Sequence, residues 1–195
     1  GVGERLRVSV VYLRAGYTPD DYKTEEEWRA REMMEMSTAV KCPSVAYQLV
    51  GLKKIQQVLC EEEEMERFLS HEDAMLLKRV FADQYTLGPL SSLSLSASSA
   101  MTSAIDDGDP WVLKPQREGG GNNLYGKQLS RFLKIHKEDD VLAEYVLMQR
   151  IFPKPQRSIF VRNGQTSWEP SVSELGIFSV FLGDGQTDPV INEYA

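Results

Sequence analysis

The stretch that decides the fold runs from Val112 to Gly126: Val-Leu-Lys-Pro-Gln-Arg-Glu-Gly-Gly-Gly-Asn-Asn-Leu-Tyr-Gly. An apolar run, Trp111-Val112-Leu113, reads as a strand and carries Lys114 at its end. Gly119, Gly120 and Gly121 follow, flanked by Arg117, Glu118, Asn122 and Asn123. Glycines let bare backbone N–H groups approach an anion, because no side chain stands between. Lys114 adds a point charge, and the Glu118 carboxylate suits a divalent cation beside phosphate oxygens. The pattern predicts a nucleotide-phosphate loop. It is not of the Walker type, since no Gly-x-x-x-x-Gly-Lys-Ser/Thr occurs.

Downstream of the loop, Lys127 to about Lys137 reads as a helix with Leu129, Phe132, Leu133 and His136 on one face. Tyr145 to Ile151 reads as a strand ended by Pro153 and Pro155. Ile159 to Arg162 is a further strand, and Asn163-Gly164 behind it is a hairpin signal. Val172 to Leu182 reads as a strand with Glu174 embedded in it. A carboxylate there needs a partner, so Glu174 draws a functional reading. Asp184-Gly185 is expected to turn the next hairpin.

Upstream, Leu6 to Leu13 is rich in β-branched residues and reads as a buried strand. It runs into Arg14-Ala15-Gly16-Tyr17-Thr18-Pro19. An Arg and a Tyr just past a strand end fit either a ligand position or a plain surface turn. Thr24 to about Val40 reads as a helix opened by a Thr24/Glu27 capping box, with Met33, Met34 and Met36 as core filler. Lys41-Cys42-Pro43-Ser44 breaks it. A second helix is predicted from about Ser44 to Glu64, with Lys53 and Lys54 on what is ordinarily a solvated face. A third, about His71 to Tyr85, has Met75, Leu76, Val80 and Phe81 as its apolar stripe. Gly88 to Ser103 is serine-rich and reads as a flexible surface insertion. Strands, loop, helix and antiparallel meander together predict an α+β class rather than a doubly wound sheet.

The bulk numbers bound the partners. The chain has 195 residues, 42% hydrophobic and 26% charged, with a net charge of −7. That charge argues against general nucleic-acid binding, which needs Lys and Arg in excess. No apolar run approaches the ~20 residues that span a bilayer. Cys42 and Cys60 form neither a disulfide framework nor a metal spacing, so a reducing, cytoplasmic setting is expected. With only His71 and His136 beside them, the composition argues against zinc. The chain opens at Gly1 and stops just after the strand-like Pro189-Val190-Ile191, so the fold is expected to be incomplete at both ends.

Taken together, these segments resemble eukaryotic glutathione synthetase, a family of the ATP-grasp superfamily. Leu113 to Gly126 is similar to that family's glycine-rich triphosphate loop nearly residue for residue. Three weaker matches keep the family's order: Arg14-Ala15-Gly16-Tyr17, then Lys41-Cys42-Pro43 with Gly51-Leu52-Lys53-Lys54, then Ser173-Glu174-Leu175-Gly176-Ile177-Phe178. The resemblance implies an ATP-grasp-like α+β fold, with a mixed or antiparallel sheet and flanking helices. It implies the end of a substrate-binding region and a linking helix at 1–51. Part of the ATP-binding domain is then expected at 52–195, with the Ser-rich insertion at about 88–103 inside it.

The implied activity is ATP- and magnesium-dependent ligation of γ-glutamylcysteine to glycine through an acyl phosphate. Lys114 and Glu118 are implied as catalytic, with Glu118 as a Mg2+ ligand. ATP contacts are implied for Lys53, Lys114, Glu118, Gly119, Gly120, Gly121, Asn122, Asn123, Tyr125 and Glu174, and for Met148, Gln149, Arg150 and Ile151 along the adenine pocket. Arg14, Ala15, Gly16 and Tyr17 are implied to hold the γ-glutamylcysteine part; Ala15 stands where the family's pattern has an acidic residue. The family also implies a cytoplasmic homodimer, with further magnesium and substrate ligands outside these residues. Two alternatives stay open: a related ligase using another amine such as β-alanine, and a nucleotide-binding remnant.

Overall fold

A computed structural model of the chain describes residues 6–116, 121–183 and 189–194. It forms two compact units, Gly1–Arg150 and Ile151–Ala195, where the resemblance implies a boundary at 51/52. The first unit runs β1 (Val10–Tyr12), α1 (Glu25–Glu35), β2 (Val40–Cys42), α2 (Val45–Val50), α3 (Lys53–Val58), α4 (Glu62–Met65), α5 (His71–Lys78), β3 (Gln84–Thr86), α6 (Leu95–Asp106), β4 (Trp111–Pro115), β5 (Leu124–Tyr125), α7 (Gly126–His136) and β6 (Tyr145–Gln149). Short 3-10 turns lie at Pro19–Asp21, Leu90–Ser92 and Asp140–Glu144. The second unit holds β7 (Gln156–Arg162), β8 (Gln165–Ser171), β9 (Ser179–Leu182) and β10 (Ile191–Tyr194).

The organising element is an antiparallel sheet in the order β3-β6-β4-β5. Its strands alternate sides, so each face has its own chemistry. One face carries Leu113 and Leu147, both fully buried against Met101 and Ala104 of α6 and Leu129 and Leu133 of α7. Leu129 and Leu133 are one helical turn apart, which is why the 3.6 period of α7 was readable. Ser130 Oγ donates to Ala104 O at 2.8 Å and fastens α7 to α6. Gly108 makes this packing possible: a Cβ there would lie 2.2 Å from Gly126 O.

The Ser-rich stretch is a correction. Gly88–Ser103 is not a loose insertion: Ser94 accepts from Ala97 N and caps α6, whose Ala97, Ala100, Met101 and Ala104 are buried. Small apolar residues at helical spacing sit among the serines, and composition alone hid them.

Other expectations also shift. The α1 cap holds, with Glu27 Oε2 accepting from Thr24 N at 2.8 Å, but the helix stops at Glu35 and the chain re-enters a strand at Val40. The helix expected over 44–64 is three short ones; Ser44 does cap the first, accepting from Tyr47 N, and Gly51 ends it. The 71–85 helix ends at Lys78, and its buried residue is Ala74, while Leu76 and Val80 are 61% and 75% exposed. Met33 and Met36 are exposed rather than core filler. The strand expected at 6–13 is only Val10–Tyr12. It pairs parallel with β2, and Val10 and Tyr12 lie open to solvent rather than buried.

In the second unit, β7 and β8 form the expected hairpin, with Asn163 at φ +52° and Gly164 at φ +76°. Both central residues are left-handed, the conformation that matches strand twist. The 172–182 strand is corrected to β9 alone, paired antiparallel with β10. Glu174 lies in an irregular, exposed segment, so the argument that a strand carboxylate needs a partner does not apply to it. The Asp184-Gly185 turn lies outside the described residues. The fold is α+β, with mixed pairing and flanking helices.

Candidate nucleotide site

Register defines the site. Thr86 pairs with Val146, and Val146 pairs with Lys114. Residues directly opposite in a sheet point to the same side, so Thr86, Val146 and Lys114 form one row across three strands. Met148 pairs with both Gln84 and Val112, and Val112 also pairs with Tyr125, giving a neighbouring row on the same face. This face is opposite the Leu113/Leu147 core. Adjacent strands are about 4.8 Å apart, so the Lys114 and Thr86 Cα atoms are roughly 10 Å apart.

Lys114 is half-buried. Its ammonium donates to Met148 Sδ at 3.3 Å. Among the described residues no ion pair involves it. A thioether is a weak acceptor, so among the described residues this cation is poorly satisfied.

Tyr125 and Asn123 meet beside it, with Asn123 Nδ2 donating to Tyr125 Oη at 3.3 Å. The Arg150 guanidinium lies 5.6 Å from the Tyr125 ring centre, and Arg150 N donates to Pro110 O at 2.8 Å. The sequence-predicted Lys114, Asn123, Tyr125, Met148 and Arg150 are thus gathered. Gln149 pairs with Trp111 and sits on the other face. Gly121 has φ +95° and open space around it, the freedom expected of a phosphate-cradling glycine. Asn122 lines a pocket of about 580 Å³ with Pro19, Pro115, Gln116, Glu144 and Tyr145. Glu118, Gly119 and Gly120 lie outside the described residues. Ile151 and Glu174 belong to the second unit.

The expected peptide segment is built around a buried glycine. Gly16 has φ +91°, and a Cβ there would sit 2.4 Å from Tyr22 Oη. Its N donates to Asp21 Oδ2 at 3.2 Å, and its O accepts from Gln48 Nε2 at 2.8 Å and Tyr22 Oη at 3.3 Å. Arg31, itself buried, donates to Tyr22 Oη and Gln48 Oε1. This scaffold leaves Arg14, Ala15 and Tyr17 exposed, with Tyr17 Oη donating to Arg14 O at 2.8 Å. The turn is therefore rigid at its base and open at its side chains. Pro19, just beyond it, shares the 580 Å³ pocket with Gln116 and Asn122.

Lys54, Gln57, Thr86 and Gln116 were not among the site residues expected from sequence, and Lys53, which was, sits differently from expectation. Lys53 is the first residue of α3 rather than a mid-helix residue. Its neighbour Lys54 is tied to the sheet, its Nζ donating to Thr86 Oγ1 at 2.6 Å and to Gln57 Oε1 at 2.7 Å. Gln57 is buried at 4% exposure. Its partners are Lys54 in the same helix, Glu61 just past it and Thr86 on β3, and no sequence period encodes the link to the sheet. Gln116 lay inside the decisive stretch but carries no charge to mark it.

Magnesium takes hard oxygen ligands. Among the described residues the pocket lining offers oxygens from Glu144, Gln116 and Asn122, so the donor chemistry fits that ion. Among the described residues no cluster of three or more His, Cys, Asp or Glu gathers.

The chain is similar to known proteins. Residues 11–195 match the family model described as eukaryotic glutathione synthase, ATP binding domain. The chain is 46% identical over 191 residues to a chloroplastic glutathione synthetase of Solanum lycopersicum, covering 96% of this chain and 33% of that one. It is 41% identical over 194 residues to a glutathione synthetase of Dictyostelium discoideum, covering 97% and 40%. Against a Bos taurus glutathione synthetase it is 42% identical over 183 residues, covering 92% and 38%. The chain thus spans between a third and two fifths of these relatives' length. Among solved structures, a glutathione synthetase-like effector from Globodera pallida in apo form is similar in fold. Its TM-score is 0.58 at 21% identity, over 84% of this chain and 34% of that one.

Proposed function

The chain belongs to the eukaryotic glutathione synthase family, with its ATP-binding domain matched over residues 11–195, and on that premise we propose that it supplies the nucleotide site for ATP-dependent ligation of γ-glutamylcysteine and glycine. The observation that carries the proposal is the Lys114 ammonium. It is half-buried in a row with Val146 and Thr86, with a thioether as its described partner. Such a cation gains from an anion placed beside it.

In this reading Lys114 and Lys53 hold phosphate oxygens, while Gly119, Gly120 and Gly121 offer backbone N–H groups. Asn122, Asn123 and Tyr125 orient the nucleotide. The base lies along Met148, Gln149 and Arg150 at the end of β6. Glu118 holds magnesium, which when bound neutralises charge on the transferring phosphoryl group. Arg14 to Tyr17 position the γ-glutamylcysteine part, so that its C-terminal carboxylate takes the phosphoryl group and glycine's amine displaces phosphate. The protein's contribution is charge placed in advance and exclusion of water from the acyl phosphate. The full ligase is proposed to be a cytoplasmic homodimer.

Calorimetric titration of the chain with ATP and magnesium tests the site. Saturable heat that weakens in Lys114→Met supports it; a flat titration of folded protein refutes it. Comparing glycine with β-alanine as acceptor in the full-length ligase tests the substrate assignment.

A further inference from the structure

Helix α3 starts without a cap of its own. Its N-cap residue is Leu52, whose side chain offers no acceptor. The first amides of any helix lack an intrahelical partner and need one from elsewhere. Here Lys54 N donates to Gln116 Oε1 at 3.2 Å, across a separation of 62 residues. Gln116 directly follows Pro115, the last residue of β4, the strand that carries Lys114. Its own N donates to Glu144 O at 3.0 Å, just before β6 begins. One residue therefore joins the end of β4 and the entry to β6 through its backbone, and the start of α3 through its side chain.

A second fastening fixes α3 about its axis. Buried Gln57 accepts at Oε1 from Lys54 Nζ (2.7 Å) and from Thr86 Oγ1 (2.6 Å). Its Nε2 donates to Glu61 Oε1 at 3.2 Å. With both ends satisfied, Gln57 resists rotation of the helix, since any turn leaves a buried amide unpaired. Lys54 is thereby committed to Gln57 and Thr86, and Lys53 projects from the helix in a different direction.

We propose that Gln116 is a positioning residue that caps α3 from the end of β4 and so sets Lys53 relative to Lys114, with Lys54–Gln57–Thr86 as the brace that holds the setting. The proposal deepens the nucleotide-site reading and rests on it for the role of Lys53. Gln116 and Lys54 act through structure rather than on phosphate.

Amide hydrogen exchange of the full chain, read on the peptide covering 53–58 and on α7, combined with Mg-ATP calorimetry, tests it in wild type, Gln116→Leu and Gln116→Glu. Without nucleotide, Gln116→Leu should speed exchange at the start of α3 about fivefold, as for loss of one hydrogen bond, and leave α7 unchanged. Gln116→Glu keeps an acceptor oxygen and should restore wild-type exchange. Mg-ATP should slow exchange at 53–58 in wild type, and Gln116→Leu should bind it about fivefold more weakly. Unchanged exchange at 53–58 in Gln116→Leu overturns the proposal, as does equal acceleration in α3 and α7, which would mean general loosening. A normal wild-type titration with unchanged α3 exchange sinks the cap alone. Absence of heat from wild type sinks the nucleotide reading itself.

Discussion

Lys114→Met is the most direct perturbation of the proposed site. The substitution keeps an unbranched apolar stem and removes the ammonium. The stem runs along the face of Val112 and Val146, which are 4% and 0% exposed, so packing is largely conserved. What is lost is a cation whose described partner is Met148 Sδ at 3.3 Å. A hydrogen bond to a charged group contributes about 1.5–3 kcal/mol. At about 1.4 kcal/mol per factor of ten, Mg-ATP should bind about 10- to 150-fold more weakly. Adenosine has no phosphate and should lose less than about twofold, within the ordinary scatter of surface substitutions. Folding stability should change by less than about 0.5 kcal/mol, because no described ion pair is broken. Calorimetry with both ligands and a urea titration supply the three numbers. Equal losses for ATP and adenosine would refute phosphate contact by Lys114. An unchanged Mg-ATP affinity would remove the lysine from the site altogether.

Other substitutions probe the scaffold. Gly108→Ala places a Cβ 2.2 Å from Gly126 O and 2.7 Å from Ser130 Oγ, so overpacking should cost about 1–3 kcal/mol in a urea titration. Met101→Ala, at 0% exposure, should cost about 2–5 kcal/mol. Exposed Ser99→Ala in the same helix should change stability by less than about 0.5 kcal/mol, a contrast that a loose insertion would not give. Burial, aided by Asp83, holds the Cys60 thiol and the Tyr85 phenol above their ordinary pKa values. The folded state then keeps protons that the unfolded chain releases. That contribution is complete below the ordinary thiol value of about 8.5 and declines as pH rises through it and then through the phenol's, about 10. The urea midpoint should fall over that alkaline range, and Cys60→Ala should flatten the first part of the fall.

What the sequence made legible was local. Thr24 with Glu27, Ser44 before Val45, the Leu129/Leu133 period and Asn163-Gly164 each act within about one helical turn or one hairpin, and each sits where expected. The failures share a cause. The three helices between Val45 and Met65 look like one because Val45, Leu49, Leu52, Ile55 and Leu59 keep helical spacing across Gly51. The chain breaks because Leu52 adopts an extended backbone at φ −65°, ψ 144°, and the break is stabilised by Gln116 far along the chain. The Ser-rich stretch failed in the opposite sense. Its serines suggest solvent, yet Ala97, Ala100, Met101 and Ala104 recur at three, one and three residues and make one buried stripe.

The same division explains the site. Lys114 could be picked out because a lysine closing an apolar strand before glycines is a local oddity. Thr86, Gln57 and Lys54 could not, because their meaning depends on strand order. The order β3-β6-β4-β5 puts a strand from residues 145–149 between those of 84–86 and 111–115. Only that insertion aligns Thr86 with Lys114 through Val146. If a variant shifted the β4–β6 register by one residue, Lys114 would turn to the Leu113 side and lose both Met148 and its phosphate role. The buried Leu113 and Leu147 guard against that slip, since it would take Leu113 off the core side and leave Leu147 facing a lysine. The hydrophobic core therefore sets which side of the sheet receives the cation, and the nucleotide site inherits its geometry from packing on the opposite face.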